Sequence, residues 1–156
     1  MIGQHVLRLS VQVGSGWGGG YSVDVVPAEY AVIEHANCPN AKETAAIPQH
    51  LLNGLCVARI NREQSSRFEA AMDQFRGRAV PLQSFLLENQ EVRPDGKPCR
   101  IRATDSTDVS LVWSGTEGVK IATFYLGCDT DEFGAFYKSL LAVTDPLPIQ
   151  HIIGEH

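Results

Sequence analysis

Leu7, Leu9, Val11 and Val13 alternate with Arg8, Ser10 and Gln12, the period of two that gives a strand one buried and one wet face. Beyond a glycine-rich stretch the alternation resumes: Tyr21, Val23 and Val25 stand against Ser22 and Asp24, and Pro27 closes the run. A proline cannot donate to a ladder, so the two segments read as a hairpin that ends there. Residues 29 to 35 are apolar and β-branched enough for a third strand, although Tyr30-Ala31-Val32-Ile33 leaves its register open. Residues 38 to 55 are punctuated by Pro39, Asn40, Pro48 and Gly54 and read as loop, with a helical turn from Pro48 to Asn53 and a short strand at 56 to 60 after it. The period then lengthens. Phe68, Ala71, Met72 and Phe75 recur at i, i+3, i+4 and i+7, with Asn61 and Gln64 placed as a capping box and Gly77 as a stop, so a helix is expected over 62 to 76.

The second half repeats that order. Residues 82 to 87 read as a strand, and residues 91 to 98, with Pro94-Asp95-Gly96 and Pro98, must turn. Cys99, Ile101 and Ala103 alternate with Arg100 and Arg102; Val109, Leu111 and Trp113 alternate with Ser110 and Val112; Gly115 to Gly118 turns the chain into a strand at 119 to 126. Asp129 and Glu132 form a second capping box, Phe133, Phe136, Tyr137, Leu140 and Leu141 make an apolar stripe, and Pro146 and Pro148 follow it, so a second helix is expected over 130 to 142. The fold class is α+β: a mostly antiparallel sheet of two three-stranded meanders, with two amphipathic helices packed on it through Phe68, Met72, Phe75, Phe133, Tyr137 and Leu140. A single domain over 1–156 is expected, with a coarse βββα/βββα repetition over 1–78 and 79–148.

At 156 residues the chain buries roughly 68–70% of its unfolded surface, enough for a core without metals or cross-links. The 18 acidic residues outnumber the 13 Lys and Arg, for a net charge of -5, and the cations are not gathered along the chain. Nucleic acid is therefore not expected as a partner. No apolar run approaches the roughly 18 residues of a membrane-spanning helix, and Met1-Ile2-Gly3-Gln4-His5 does not open a secretory signal. A native start at Met1 implies the cytoplasm; removal of a signal peptide implies the periplasm or secretion.

Cys38, Cys56, Cys99 and Cys128 are even in number, which suits an oxidising compartment but also four buried thiols. No pair forms C-x-x-C, so neither a zinc ribbon nor a thioredoxin-type motif is supported. If the chain is oxidised, Cys38 with Cys56 is the preferred disulfide, since each flanks the loop-like segment. Cys99 with Cys128 is less natural, because the first and third strands of a meander place them at opposite ends, unless residues 99 to 104 are not a meander strand.

Gly16-Trp17-Gly18-Gly19-Gly20-Tyr21-Ser22-Val23, Asp95-Gly96-Lys97-Pro98-Cys99 and Tyr125-Leu126-Gly127-Cys128 resemble segments of small bacterial exported proteins of unknown function. The resemblance implies export and transfers no chemistry to any residue.

The candidates for chemistry are few. The glycine-rich run from Gly14 to Gly20 lacks the following helix and the Gly-Lys-Ser/Thr ending of a phosphate loop. Asp129-Thr130-Asp131-Glu132 offers carboxylates, but Phe133 and Leu140 stand where calcium ligands belong, and acids at a helix start are explained by its dipole. His151, Glu155 and His156 miss the spacing of the inverted zinc-protease motif. His35 and Cys38 could pair as base and thiolate, without an evident oxyanion hole. No catalytic residue, metal or cofactor is assigned. Arg100 and Arg102 project from one face of a predicted strand, with Lys120 across from them, as a cationic stripe that could hold an anion. Trp17, isolated among glycines and followed by Tyr21, has the character of an interface anchor. The function expected is a noncatalytic binding domain, with an unknown protein partner or self-association, using Trp17, Tyr21, Arg100 and Arg102. The alternative is a small enzyme or ligand binder whose site, from residues such as His35, His50, Arg100 and Arg102, assembles only in three dimensions.

Overall fold

The computed structural model describes residues 6–13, 20–39, 54–85, 92–104 and 106–154. The first alternating segment is strand β1 (Val6–Val13), followed by β2 (Tyr21–Val26), β3 (Tyr30–His35) and β4 (Gly54–Arg59). Helix α1 (Arg62–Asp73) and a 3-10 turn (Arg76–Arg78) lead to the two-residue strand β5 (Val80–Pro81) and a short helix α2 (Leu82–Phe85). Strands β6 (Thr107–Gly115) and β7 (Gly118–Tyr125) come next, then α3 (Thr130–Leu141), a 3-10 turn (Ala142–Thr144) and α4 (Gln150–Ile153).

All seven strands form one antiparallel sheet in the order β4-β3-β2-β1-β6-β7-β5. The class is therefore α+β, dominated by sheet. Alternation in the sequence becomes the two faces of this sheet. Leu7, Leu9 and Val11, Val23 and Val25, Ala31 and Ile33, Val109, Leu111 and Trp113, and Ala122 and Phe124 are all buried in a single core with Phe68, Met72 and Phe75 of the α1 region and Leu140 of α3. Leu147 and Ile149, after α3, close the same core.

The capping box of α1 is present: the Gln64 N–H donates to Asn61 Oδ1 at 2.8 Å and the Asn61 N–H to Gln64 Oε1 at 2.9 Å. Ser65, buried on this helix, accepts from the Ala28 N–H at 3.0 Å, which ties α1 to the tight turn joining β2 and β3. The helix ends at Asp73 rather than at residue 76, and the 3-10 turn carries the chain past Gly77.

Three expectations are corrected. Of the residues expected as a strand over 82 to 87, those described, 82 to 85, do not form one: pairing with β7 stops at Pro81↔Lys120, and the chain beyond this proline coils into α2, as proline's fixed φ favours at a helix start. Residues 99 to 103 are not the first strand of a second meander. The free edge of β6 is taken by β1 along all eight of its residues, from Val6↔Ser114 to Val13↔Thr107. This ladder joins the two halves into one sheet and displaces 99–103 onto the segment after β7, where Arg102 makes an isolated bridge to Cys128. The Ala103 N–H donates to the Gly127 carbonyl, and the Asp129 N–H to that of Ile101, both at 2.8 Å. Finally, Asp129 stands at the N-cap of α3 but its side chain forms no capping box with Glu132. Its φ of 46° lies in the left-handed region and its side chain makes no capping bond, because the carboxylate is turned toward the amides of Arg100 and Ile101.

Candidate functional site

The face of the sheet away from the helices carries the polar half of each alternation. Register sets Arg8 opposite Asp24, and the two form a paired contact, Nε to Oδ1 at 2.5 Å and Nη2 to Oδ2 at 2.7 Å. The hydrogen bond to Asp24 raises the Arg8 pKa from its ordinary value. Further along the same strands, Arg8, Ser10, Gln12, Ser22 and Glu34, with Gly20 and the edge of Tyr21, line a cleft of about 260 Å³. Its lining mixes a guanidinium, hydroxyls, an amide and a carboxylate. The connection that carries Trp17 leaves β1 and enters β2 at this rim; Trp17 itself lies outside the described residues.

At the opposite edge of that face the character changes. Glu34 pairs with Leu55, Val32 with Val57 and Tyr30 with Arg59, so these side chains share the open face. Tyr30, Leu55 and Val57 are 38%, 54% and 69% exposed, an apolar group beside the polar cleft. Cys38 reaches back from the end of β3 to bond Cys56 of β4, with Cα atoms 5.3 Å apart. Gly54 permits the return, since a Cβ there would strike the carbonyls of Cys38 and Pro39. The pairing expected from the loop-like segment is the one formed.

Cys99 is likewise bonded to Cys128, with Cα atoms 5.4 Å apart. The geometric objection to this pair rested on a meander strand that does not exist. Beside the bond, Asp129 is 1% exposed and accepts from the N–H groups of Ile101 at 2.6 Å and Arg100 at 3.1 Å. The Ile101 N–H first, then the Arg100 N–H and the guanidiniums of Arg100 and Arg93, hold its carboxyl below the usual range against the cost of desolvation. Arg93 and Arg100 each donate to Glu132 at 2.9 Å, and Arg93 also lies 5.0 Å above the Phe133 ring. The Tyr137 hydroxyl donates to the Cys128 carbonyl at 2.5 Å, and burial pushes its pKa up to about 12. Acids and cations here pair with one another, with Arg93 Nε left 3.7 Å from Asp129 and without a hydrogen bond, so the cluster is a latch holding residues 93–101 against the start of α3. Among the described residues no group of His, Cys, Asp and Glu is arranged to hold a metal.

The predicted cationic stripe is not assembled. Arg100 is engaged with Glu132, Arg102 lies 5.4 Å over the Tyr125 ring, and Lys120 sits on β7 opposite Trp113. The stripe required a strand at 99–103, and that segment runs elsewhere. Lys120 instead joins Arg76, Trp113, Ser114, Thr116 and Glu117 around a cleft of about 180 Å³ at the tip of the β6–β7 hairpin.

Tyr21 is buried. Its ring lies 6.4 Å from that of His35, and burial pushes its hydroxyl up to about 12. His35 is buried too, its Nδ1 accepts from the Asn37 N–H at 2.9 Å, and burial lowers its pKa. Its proposed partner Cys38 is held in a disulfide, so that pair cannot supply a thiolate. His35, Arg100 and Arg102 do not converge, and His50 lies outside the described residues. Sequence reading missed Glu34, Leu55, Val57 and Arg76; only the strand order reveals that the first three share a face. Comparison with protein-family models and with curated proteins gives no match for this chain.

Proposed function

We propose that the chain is a noncatalytic binding domain that works in an oxidising compartment outside the cytoplasm and contacts another protein, or a second copy of itself, through the open face of its sheet. The observation that carries this reading is the composition of that face: exposed Tyr30, Leu55 and Val57 beside a concave polar lining of Arg8, Ser10, Gln12, Ser22 and Glu34. An apolar patch flanked by polar groups is the usual make-up of a contact surface. Trp17, outside the described residues and four positions before Tyr21 in the sequence, has the side chain of an anchor of the kind enriched at interfaces. Two disulfides support the compartment, since such bonds persist where thiols are not kept reduced. The resemblance to small bacterial exported proteins agrees with it.

A photo-crosslinking side chain placed at Val57, and separately at Arg67 on the outer side of α1, tests the reading in cells that make the protein. Adducts from position 57 and none from 67 are expected. Equal labelling from both, or none from either, rejects the open face as the contact. Sedimentation of the purified chain then tells a second copy from a different protein.

A further inference from the structure

Independently of the sheet-face reading, the structure assigns a small-oxyanion site to the cleft at the tip of the β6–β7 hairpin, where a carboxylate or phosphate group of a compact ligand is held by Arg76, Lys120 and the indole N–H of Trp113. The cleft is lined by Arg76, Trp113, Ser114, Thr116, Glu117 and Lys120 and measures about 180 Å³, a size for a small molecule and not a polymer. Register places Lys120 directly opposite Trp113, at the point where the buried row of the sheet gives way to solvent. Among the described residues Lys120 makes no ion pair, and Arg76 has one loose contact, 3.6 Å from Asp73, with both side chains about half exposed. Arg76 and Lys120 stand against the single lining carboxylate of Glu117, with Asp73 outside the lining and 3.6 Å from Arg76.

Trp113 supplies the second, independent sign. Its side chain is only 3% exposed, yet its Nε1–H is buried without a hydrogen-bond partner. Buried donors are almost always paired; Trp113 lines the cleft, and a donor left without a partner inside the chain is available to an acceptor that enters beside it. A carboxylate or phosphate oxygen provides one. Arg76 presents the planar fork that matches such a group, and Lys120 a point charge. The hydroxyl of Thr116, on the same rim, can donate to a remaining oxygen. Gly118, at φ +105°, allows the tight turn that brings Thr116 and Glu117 over the cleft.

The indole N–H resonances of ¹⁵N-labelled protein read this site directly, and a Trp17→Phe variant identifies the signal of Trp113. Titration with sodium phosphate, and separately with sodium acetate, is run at an ionic strength held constant with sodium chloride. The Trp113 signal should shift and saturate with at least one probe, with a Kd on the order of millimolar. Arg76→Gln and Lys120→Gln should each weaken binding about tenfold or more, Glu117→Gln should tighten it, and Arg67→Gln should leave it unchanged. Saturation by phosphate alone or acetate alone tells which oxyanion the cleft prefers and supports the site. A shift that stays linear, or one that saturates with equal affinity in the Arg76 and Lys120 variants, overturns the assignment.

Discussion

Phe75 is the position where removal of one side chain should cost most for its size. It follows α1, is only 5% exposed, and its ring meets Phe136 of α3 at 5.3 Å and 88° and Phe124 of β7 at 6.0 Å and 69°. Phe124 and Phe136 close the triangle at 5.4 Å. One ring therefore joins the region of both long helices to the sheet. Phe→Ala in a core costs about 3–5 kcal/mol, and the cost rises when the surroundings cannot collapse into the cavity. Phe124 is held by its strand, with Val109 opposite it in β6, so little collapse is available and the upper half of that range is expected. Each edge-on ring contact contributes about 0.5–1.5 kcal/mol beyond burial. The coupling between Phe75→Ala and Phe136→Ala in a double-mutant cycle should fall in that interval. Urea unfolding under nonreducing conditions measures both quantities, and m should stay constant. In a thermal melt the single variant should lose roughly 8–20 °C, at about 2–4 °C per kcal/mol for a chain of this length. A loss below about 1 kcal/mol at unchanged m, or a coupling of zero, refutes the packing argument.

Removing Cys38–Cys56, which spans 18 residues, should cost about 3 kcal/mol, and removing Cys99–Cys128, which spans 29, about 3.5 kcal/mol on the loop-entropy scale. Nonreducing peptide mapping should recover these two pairings, and four alkylatable thiols in the native protein would contradict both. Burial lowers the pKa of His35 from 6.5 in the folded chain. The unfolded chain thus binds the proton more readily, and this contribution to stability is present above pH 6.5 and is lost as the pH falls through the lower folded value. Melting temperature should fall more between pH 7.5 and 5 for the native chain than for His35→Gln, and parallel profiles would show that His35 does not titrate on unfolding.

The sequence by itself determined the elements whose signal is local. Period-two alternation placed β1, β2 and β6, because a strand with one wet face must alternate, and the turn from Gly115 to Gly118 placed β7 after β6. The stripe of Phe68, Met72 and Phe75 and the Asn61–Gln64 box placed α1, because a cap and a 3.6-residue period act within one or two turns. Cys38–Cys56 was legible for a similar reason, since the pair flanks one loop-like segment.

Tertiary structure decided what depends on partners distant in the chain. Nothing within residues 99 to 103 reveals that β1 occupies the edge of β6, yet that single ladder turned an expected strand into the segment held by Asp129, brought Cys99 to Cys128 and dispersed Arg100, Arg102 and Lys120. A period-two pattern says that a segment can pair; it carries no information on which edge is free, because every edge offers the same backbone donors and acceptors. Both candidate surfaces likewise depend on contacts between segments distant in the chain. Tyr30, Leu55 and Val57 share a face through the registers of β3 and β4, and Arg76 meets Lys120 and Trp113 because the 3-10 turn after α1 packs beside β7.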